Sequence, residues 1–167
     1  LNVLCTAAFW LAGMDLFDSV CHSFATIALG GFSTHDASIG FYQSDAIEFV
    51  AGFFSLVAAV NFALFFYAWR QKSLRAIFAD EEFRFFIKVM AVLIGAAIAG
   101  LYFTGTFPLW ESIVHGFFQT SSIVTDNGLV AAGYPDWPMA VTLLLLLGSF
   151  FGGCVGSTCG GIKAIRF

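Results

Sequence analysis

Charged and uncharged stretches alternate along this chain on the scale of a bilayer. Residues 49–69 (FVAGFFSLVAAVNFALFFYAW) carry no charge, and about twenty residues at ~1.5 Å rise cover the ~30 Å hydrocarbon core of a membrane. Asp45 and Glu48 precede this run with the spacing of a capping box, which predicts a span over 45–70 that ends at Arg70. Residues 71–83 (QKSLRAIFADEEF) are polar enough for a cytoplasmic helix or hairpin. A second span is predicted over 84–105, where Gly95, Ala96, Ala97, Ala99 and Gly100 permit close helix packing. A short uncharged segment follows at 112–125 (SIVHGFFQTSSIVT), then a long one at 137–162 that ends at Lys163.

Composition sets the solvent. Only 11% of residues are charged, against about 25% in an ordinary soluble domain. Hydrophobic residues make up 59%, 22 of them Phe, and mean hydropathy is +0.88. Net charge −4 and pI ≈ 5.1 argue against nucleic acid, which requires a basic face. The expected class is an all-α, multi-pass integral membrane protein with the lipid bilayer as its partner. Its chain starts at Leu1 without a basic leader and reads as a piece of something longer.

The seven Lys and Arg fall in two clusters, Arg70, Lys72, Arg75, Arg84 and Lys88, then Lys163 and Arg166. Basic residues collect inside the cell, which puts 70–88 and 163–167 there. Lys88 and Lys163 on one side require an even number of crossings between them. The segment around 109–124 is too short to cross, so it must re-enter. The same grammar appears earlier: 1–14 as the tail of a span, a short helix at 16–28 opened by Asp15 and Asp18, Gly30-Gly31, and a span. The unit of span, re-entrant half-helix, Gly turn and span therefore recurs, with Gly31 falling on Gly128 at an offset of 97 residues.

Non-helical backbone at membrane depth must be buried or line water. The loops after the two half-helices are Ala28, Leu29, Gly30, Gly31 and Phe32 (within a turn at 28–33), and Thr125, Asp126, Asn127, Gly128 and Leu129 (125–129). Carbonyl oxygens of such loops can replace the water shell of a cation. Glycine allows positive φ there, and the negative end of each half-helix favours a cation. An ordinary turn is the plain alternative for Gly30-Gly31. Acidic residues 15, 18, 36, 45, 48, 111, 126 and 136 all fall outside in this topology and form a cation-concentrating vestibule. Asp126 either binds a cation or turns away and holds its loop.

The long last segment, 136–167, contains Gly152, Gly153, Cys154, Gly156, Ser157, Thr158, Gly160 and Gly161. Each Gly costs a helix about 1 kcal/mol, so the helix that begins near Asp136 and Pro138 should break after Phe151. A loop at 152–161 then lies inside the membrane, placed to act as a gate. Ser157 and Thr158 either meet the ion or satisfy loop backbone; a tight small-residue helix crossing is the alternative. The stretch lacks the order of a phosphate loop and the spacing of a nucleophile elbow. Cys5, Cys21, Cys154 and Cys159 read as small buried hydrophobes, and His22, His35 and His115 as packing or loop hydrogen-bonding groups. An intramembrane enzyme using Ser157 with a His, or a transporter of another small solute, are the competing readings.

Three motifs carry a family resemblance. Gly30 to Gly40 (GGFSTHDASIG) resembles the second filter loop of Trk-type potassium-uptake membrane subunits, the TrkH-like proteins of the Trk/Ktr/HKT superfamily. Thr125 to Leu129 (TDNGL) resembles the third filter, and Gly152 to Lys163 (GGCVGSTCGGIK) the intramembrane gating loop of the third unit. The resemblance implies four covalently joined pore units around one pathway, of which residues 1–70 would end the second and 84–167 form most of the third. It also implies transported K+ with no other cofactor, a homodimer, a cytosolic ring of nucleotide-binding regulatory subunits, and a bacterial inner membrane location.

Overall fold

The computed structural model describes residues 1–73, 75–131 and 137–166, and Ala76 only in its backbone. Asp136, expected in the outer acidic set and near the start of the last helix, lies outside the described residues. Eight α-helices follow in order: α1 (Asn2–Leu11), α2 (Leu16–Ala28), α3 (Asp45–Ala58), α4 (Phe62–Gln71), α5 (Arg75–Ala79), α6 (Glu81–Phe103), α7 (Leu109–Val124) and α8 (Met139–Gly148). No named strand occurs among the described residues; Phe151 and Ile162 form an isolated bridge.

The packing repeats. The short helix α2 lies against α1 and α3, and the short helix α7 lies against α6, α8 and α3. Beside its hydrophobic core the chain exposes large apolar side chains and buries many polar ones. Leu11, Trp69 and Phe103 are more than four-fifths exposed, while Ser19, His22, Ser23, Thr26, Ser112, Gln119, Thr120, Ser121 and Ser122 on α2 and α7 are buried. Polar half-helices inside an apolar coat are the arrangement a hydrocarbon solvent selects.

Four local expectations change. First, 45–70 is not one straight helix: α3 and α4 meet at 86°. Asn61 caps α4 by accepting from the Ala63 N–H at 2.9 Å. The groups freed at the elbow bond elsewhere in the chain, as described below, so the bend leaves them paired. Second, the capping box does not form. Ser44 is the N-cap and makes no side-chain cap bond, whereas Asp45 and Glu48 reach α7. Third, α6 starts at Glu81, which moves Glu81, Glu82 and Phe83 from the connection into the helix. At 23 residues α6 is the one described helix long and apolar enough by itself to cross a membrane. Fourth, α8 ends at Gly148, three residues before the predicted break.

Small residues do contribute to packing, but selectively. Ala97 is fully buried and Gly100 sits against Val141 of α8, while Gly95 faces open space among the described residues. Between α3 and α7 the approach reaches the backbone: a Cβ on Gly52 would lie 2.8 Å from the Phe117 ring and 3.3 Å from the Phe118 Cα. Gly52→Leu should therefore destabilise the full-length protein by about 1–3 kcal/mol, as overpacking does, while Gly95→Leu should leave it unchanged. Thermal unfolding in detergent compares the two, and equal melting temperatures would contradict this packing.

Candidate functional site

The ends of α2 and α7 are built alike, bond for bond. The Gly30 N–H donates to the Ala25 carbonyl at 2.9 Å, and the Asn127 N–H to the Ser122 carbonyl at 2.8 Å. The Leu29 N–H donates to Thr26 and the Asp126 N–H to Ile123, at 3.3 and 3.2 Å. Each pair is related by the offset of 97. Both ends are Schellman turns, in which a left-handed residue redirects the chain. That residue is Leu29 (φ 51°) in one and Asp126 (φ 65°) in the other. Glycine was expected to supply the positive φ. Gly31 and Gly128 do so two residues later, at 68° and 79°, but Gly30 does not. A left-handed non-glycine costs roughly 1–2 kcal/mol, so both loops hold local strain at the same place.

Beyond the turns, the two loops meet. A Cβ on Gly31 would collide with the Asn127 carbonyl, and one on Gly128 would lie 3.8 Å from the Gly31 Cα. Side chains alternate in and out from 125 to 129, with Asn127 and Leu129 buried and Asp126 and Gly128 exposed. Asn127 Nδ2 donates to Ser55 Oγ at 2.7 Å, tying the loop to α3. Ser38 Oγ accepts from the Val130 N–H, and the Gly40 N–H donates to the Val130 carbonyl, which joins the segments leaving the two loops.

The carbonyls divide into two groups. The Thr125 carbonyl accepts from the Cys159 thiol at 3.0 Å, and the Leu129 carbonyl from Ser122 Oγ at 2.6 Å. Carbonyls of residues 28–32 and 126–128 accept no hydrogen bond from the described residues. Backbone acceptors without protein partners are uncommon, and a row of them can coordinate a partly dehydrated cation.

Directly against these loops lies 152–161. Its neck is closed by Gly152 N–H donating to the Ile162 carbonyl at 2.7 Å and Ile162 N–H donating to Phe150 at 3.1 Å. Thr158 Oγ1 donates to the Ile27 carbonyl at 3.0 Å, at the end of α2. Cys159 accepts from the Gly153 N–H and donates to Thr125, at the end of α7. Gly160 packs on the Asp126 carboxylate with no room for a Cβ. At the α3–α4 elbow, the Ala59 carbonyl accepts from the Cys154 N–H at 2.9 Å, and the Phe62 N–H donates to Gly156 at 3.1 Å. The broken helix and the loop thus satisfy each other's backbone. Ser157 Oγ donates to the Cys154 carbonyl at 2.6 Å, inside the loop, rather than to an imidazole. Cys154 and Cys159 are buried as expected, but Cys159 is also a hydrogen-bonding hinge between loop and half-helix.

Away from these loops, two carboxylate–histidine pairs brace the half-helices. Asp18, in the first turn of α2 and outside the spans, accepts from the Tyr42 hydroxyl at 2.6 Å, from Thr34 Oγ1 at 2.8 Å and from His35 Nε2 at 2.9 Å. His22 adds a bond to Ser33 Oγ. In the other unit, His115 Nδ1 lies 2.8 Å from the buried Glu48, and Trp110 Nε1 donates to Asp45 at 2.7 Å. Sequence reading placed these acids in a vestibule and missed their partners. The available signal was one His on each side of the repeat, each requiring a partner if buried.

The whole chain, residues 1–167, matches the family model TrkH, described as cation transport protein. It is 45% identical to the Trk system potassium uptake protein TrkG of Escherichia coli (strain K12), over 100% of this chain and 34% of that protein. It is 44% identical to the Trk system potassium uptake protein TrkH of Halomonas elongata, over 99% of this chain and 34% of that protein. The crystal structure of the potassium transporter TrkH from Vibrio parahaemolyticus superimposes with a TM-score of 0.95 at 43% identity, covering 99% of this chain and 36% of that one. The chain therefore spans about a third of the length of the curated relatives it matches.

The Asp18 cluster makes a pH prediction. Tyr42, then His35 and Thr34, donate to the carboxylate and lower its pKa to about 2 against the opposing effect of burial. A carboxyl whose folded pKa lies below its unfolded value of about 3.9 adds stability that is fully present above that value and lost as pH falls towards 2. Full-length protein in detergent should lose an Asp18-dependent part of its thermal stability between about pH 4 and 2. Asp18→Asn should remove this part, so the two melting curves converge in acid. Parallel curves at all pH values would refute the assignment.

Proposed function

The chain belongs to the TrkH family of cation transport proteins, and we propose that it forms two of the pore units of a potassium-uptake protein. In this reading 28–32 and 125–129 are two of four filter strands, and their unpartnered carbonyls replace water around K+. The 152–161 loop beneath them is the gate. The observation that carries the reading is the pair of strained turns in register at an offset of 97, each leading to carbonyls that no described residue occupies. The potassium uptake relatives support K+ as the transported ion and a non-enzymatic role. In the same proposal the complete protein is a multi-pass inner-membrane homodimer that docks a cytosolic nucleotide-binding ring on the face carrying 70–84 and 163–167. No other cofactor is needed.

The chemistry follows from position. Half-helix ends present partial negative charge toward the loops, and the acidic outer residues concentrate cations in front of them. Asp126 carries its charge on the exposed side of its loop, while Gly160 covers its carboxylate from the gate side. An ion leaving the filter would meet Thr158 and Cys159 next, both of them bonded to half-helix ends.

Two measurements on the full-length protein in liposomes test this reading. Gly128→Ser keeps space for a side chain but strains a φ of 79°. It should lower potassium-over-sodium selectivity by about tenfold, equivalent to ~1.4 kcal/mol of distortion. Gly31→Ser, which also collides with the Asn127 carbonyl, should do so more severely. Unchanged selectivity in well-folded variants would sink the filter assignment. Deleting 153–160 should raise rubidium flux; unaltered flux would reduce the loop to packing.

A further inference from the structure

We propose that Glu82 is the positioning residue that holds the 152–161 loop in its docked place. The proposal builds on the gate reading but is tested separately from it. One oxygen of this side chain, Oε1, accepts from the Val155 N–H at 2.8 Å and from the Ile165 N–H at 3.2 Å. The first donor lies in the loop and the second in the short turn after it (Ala164–Arg166). Two stretches ten residues apart in sequence therefore converge on a single atom in the first turn of α6.

The loop's bonds to the half-helix ends and the elbow run to neutral groups, the Ile27, Thr125 and Ala59 carbonyls and the Phe62 N–H, and its one cationic partner among the described residues, Lys163, donates to the Cys159 carbonyl. Glu82 is the one carboxylate that accepts hydrogen bonds from the loop among the described residues. Bonds to an ionised acceptor are roughly twice as strong as neutral ones. Glu82 is also reached differently. It lines a cleft with Asp80, Glu81, Phe85, Ala164 and Ile165 on the face that carries the basic clusters, while Cys154 and Cys159 in the loop are buried. The Glu82 carboxylate thus links the helix that enters the membrane, the loop inside it and the segment leaving it.

The test uses the full-length protein in liposomes, with Cys5, Cys154 and Cys159 kept and every other cysteine replaced by serine. Maleimide labelling is followed site by site by mass spectrometry. Glu82→Ala should label Cys154 and Cys159 about tenfold faster, the weight of one hydrogen bond to a charged group, with Cys5 on α1 still protected. Glu82→Gln retains an acceptor of the same length and should show a smaller increase. Unchanged labelling of the loop cysteines overturns the latch, as does an equal rise at Cys5, which marks general loosening. Rubidium flux separates the two readings. Faster labelling with raised basal flux supports latch and gate together. Faster labelling with flux unchanged both in Glu82→Ala and in the 153–160 deletion leaves the latch standing and removes the gate.

Discussion

In a bilayer no water is available to a broken backbone, and the rest of this structure depends on that constraint. The chain breaks its helices at four places: the ends of α2 and α7, the α3–α4 elbow, and 149–163 after α8. In hydrocarbon each break would strand donors and acceptors at several kcal/mol apiece. They are instead brought together. The elbow pairs with the loop through Ala59 and Phe62, and the loop pairs with both half-helices through Thr158 and Cys159. No break is stable alone, so the broken elements form one cooperative cluster at the centre of the fold. The carbonyls left over at 28–32 and 126–128 are the exception that the cluster is built around.

The repeat was legible in the sequence to a depth that identity would not suggest. His22 to Phe32 and Gln119 to Leu129 share few residues, yet the offset of 97 carries over to the two turn bonds and to the positions of positive φ. Length and charge were enough because they are consequences of the same constraint. A segment too short to cross, flanked by cations that must share a side, can only re-enter. The limits of α2 and α7 follow from Asp15 at one start, Pro108 at the other, and the loss of apolar periodicity at Gly30 and Gly128.

What the sequence did not show was set by partners far away along the chain. Residues 49–69 read as one span because nothing inside them is a strong helix breaker. Asn61 alone marks the elbow, and its bend is maintained by a loop almost a hundred residues later. Asp45 and Glu48 fit a capping box locally, but α7 supplies better donors in Trp110 and His115. Leu29 takes the left-handed turn beside two glycines, while Gly31 is needed two positions further on, where the Asn127 carbonyl leaves no space for a Cβ. In each case a tertiary contact outweighed a correct local preference.

The proposed filter and the proposed gate share atoms. The Thr125 carbonyl belongs to the 125–129 loop and also accepts the Cys159 thiol of the 152–161 loop, and the Asp126 carboxylate of the first lies against Gly160 of the second. If 152–161 moved, Thr125 and Ile27 would lose their donors and join the unpartnered carbonyls above them. Those carbonyls would then need a cation or water as partner. Undocking the loop therefore extends each acceptor row by one carbonyl, toward the half-helix it follows. The same backbone rule that packs the loop against the half-helices thus makes its departure favourable only when ions or water can take its place.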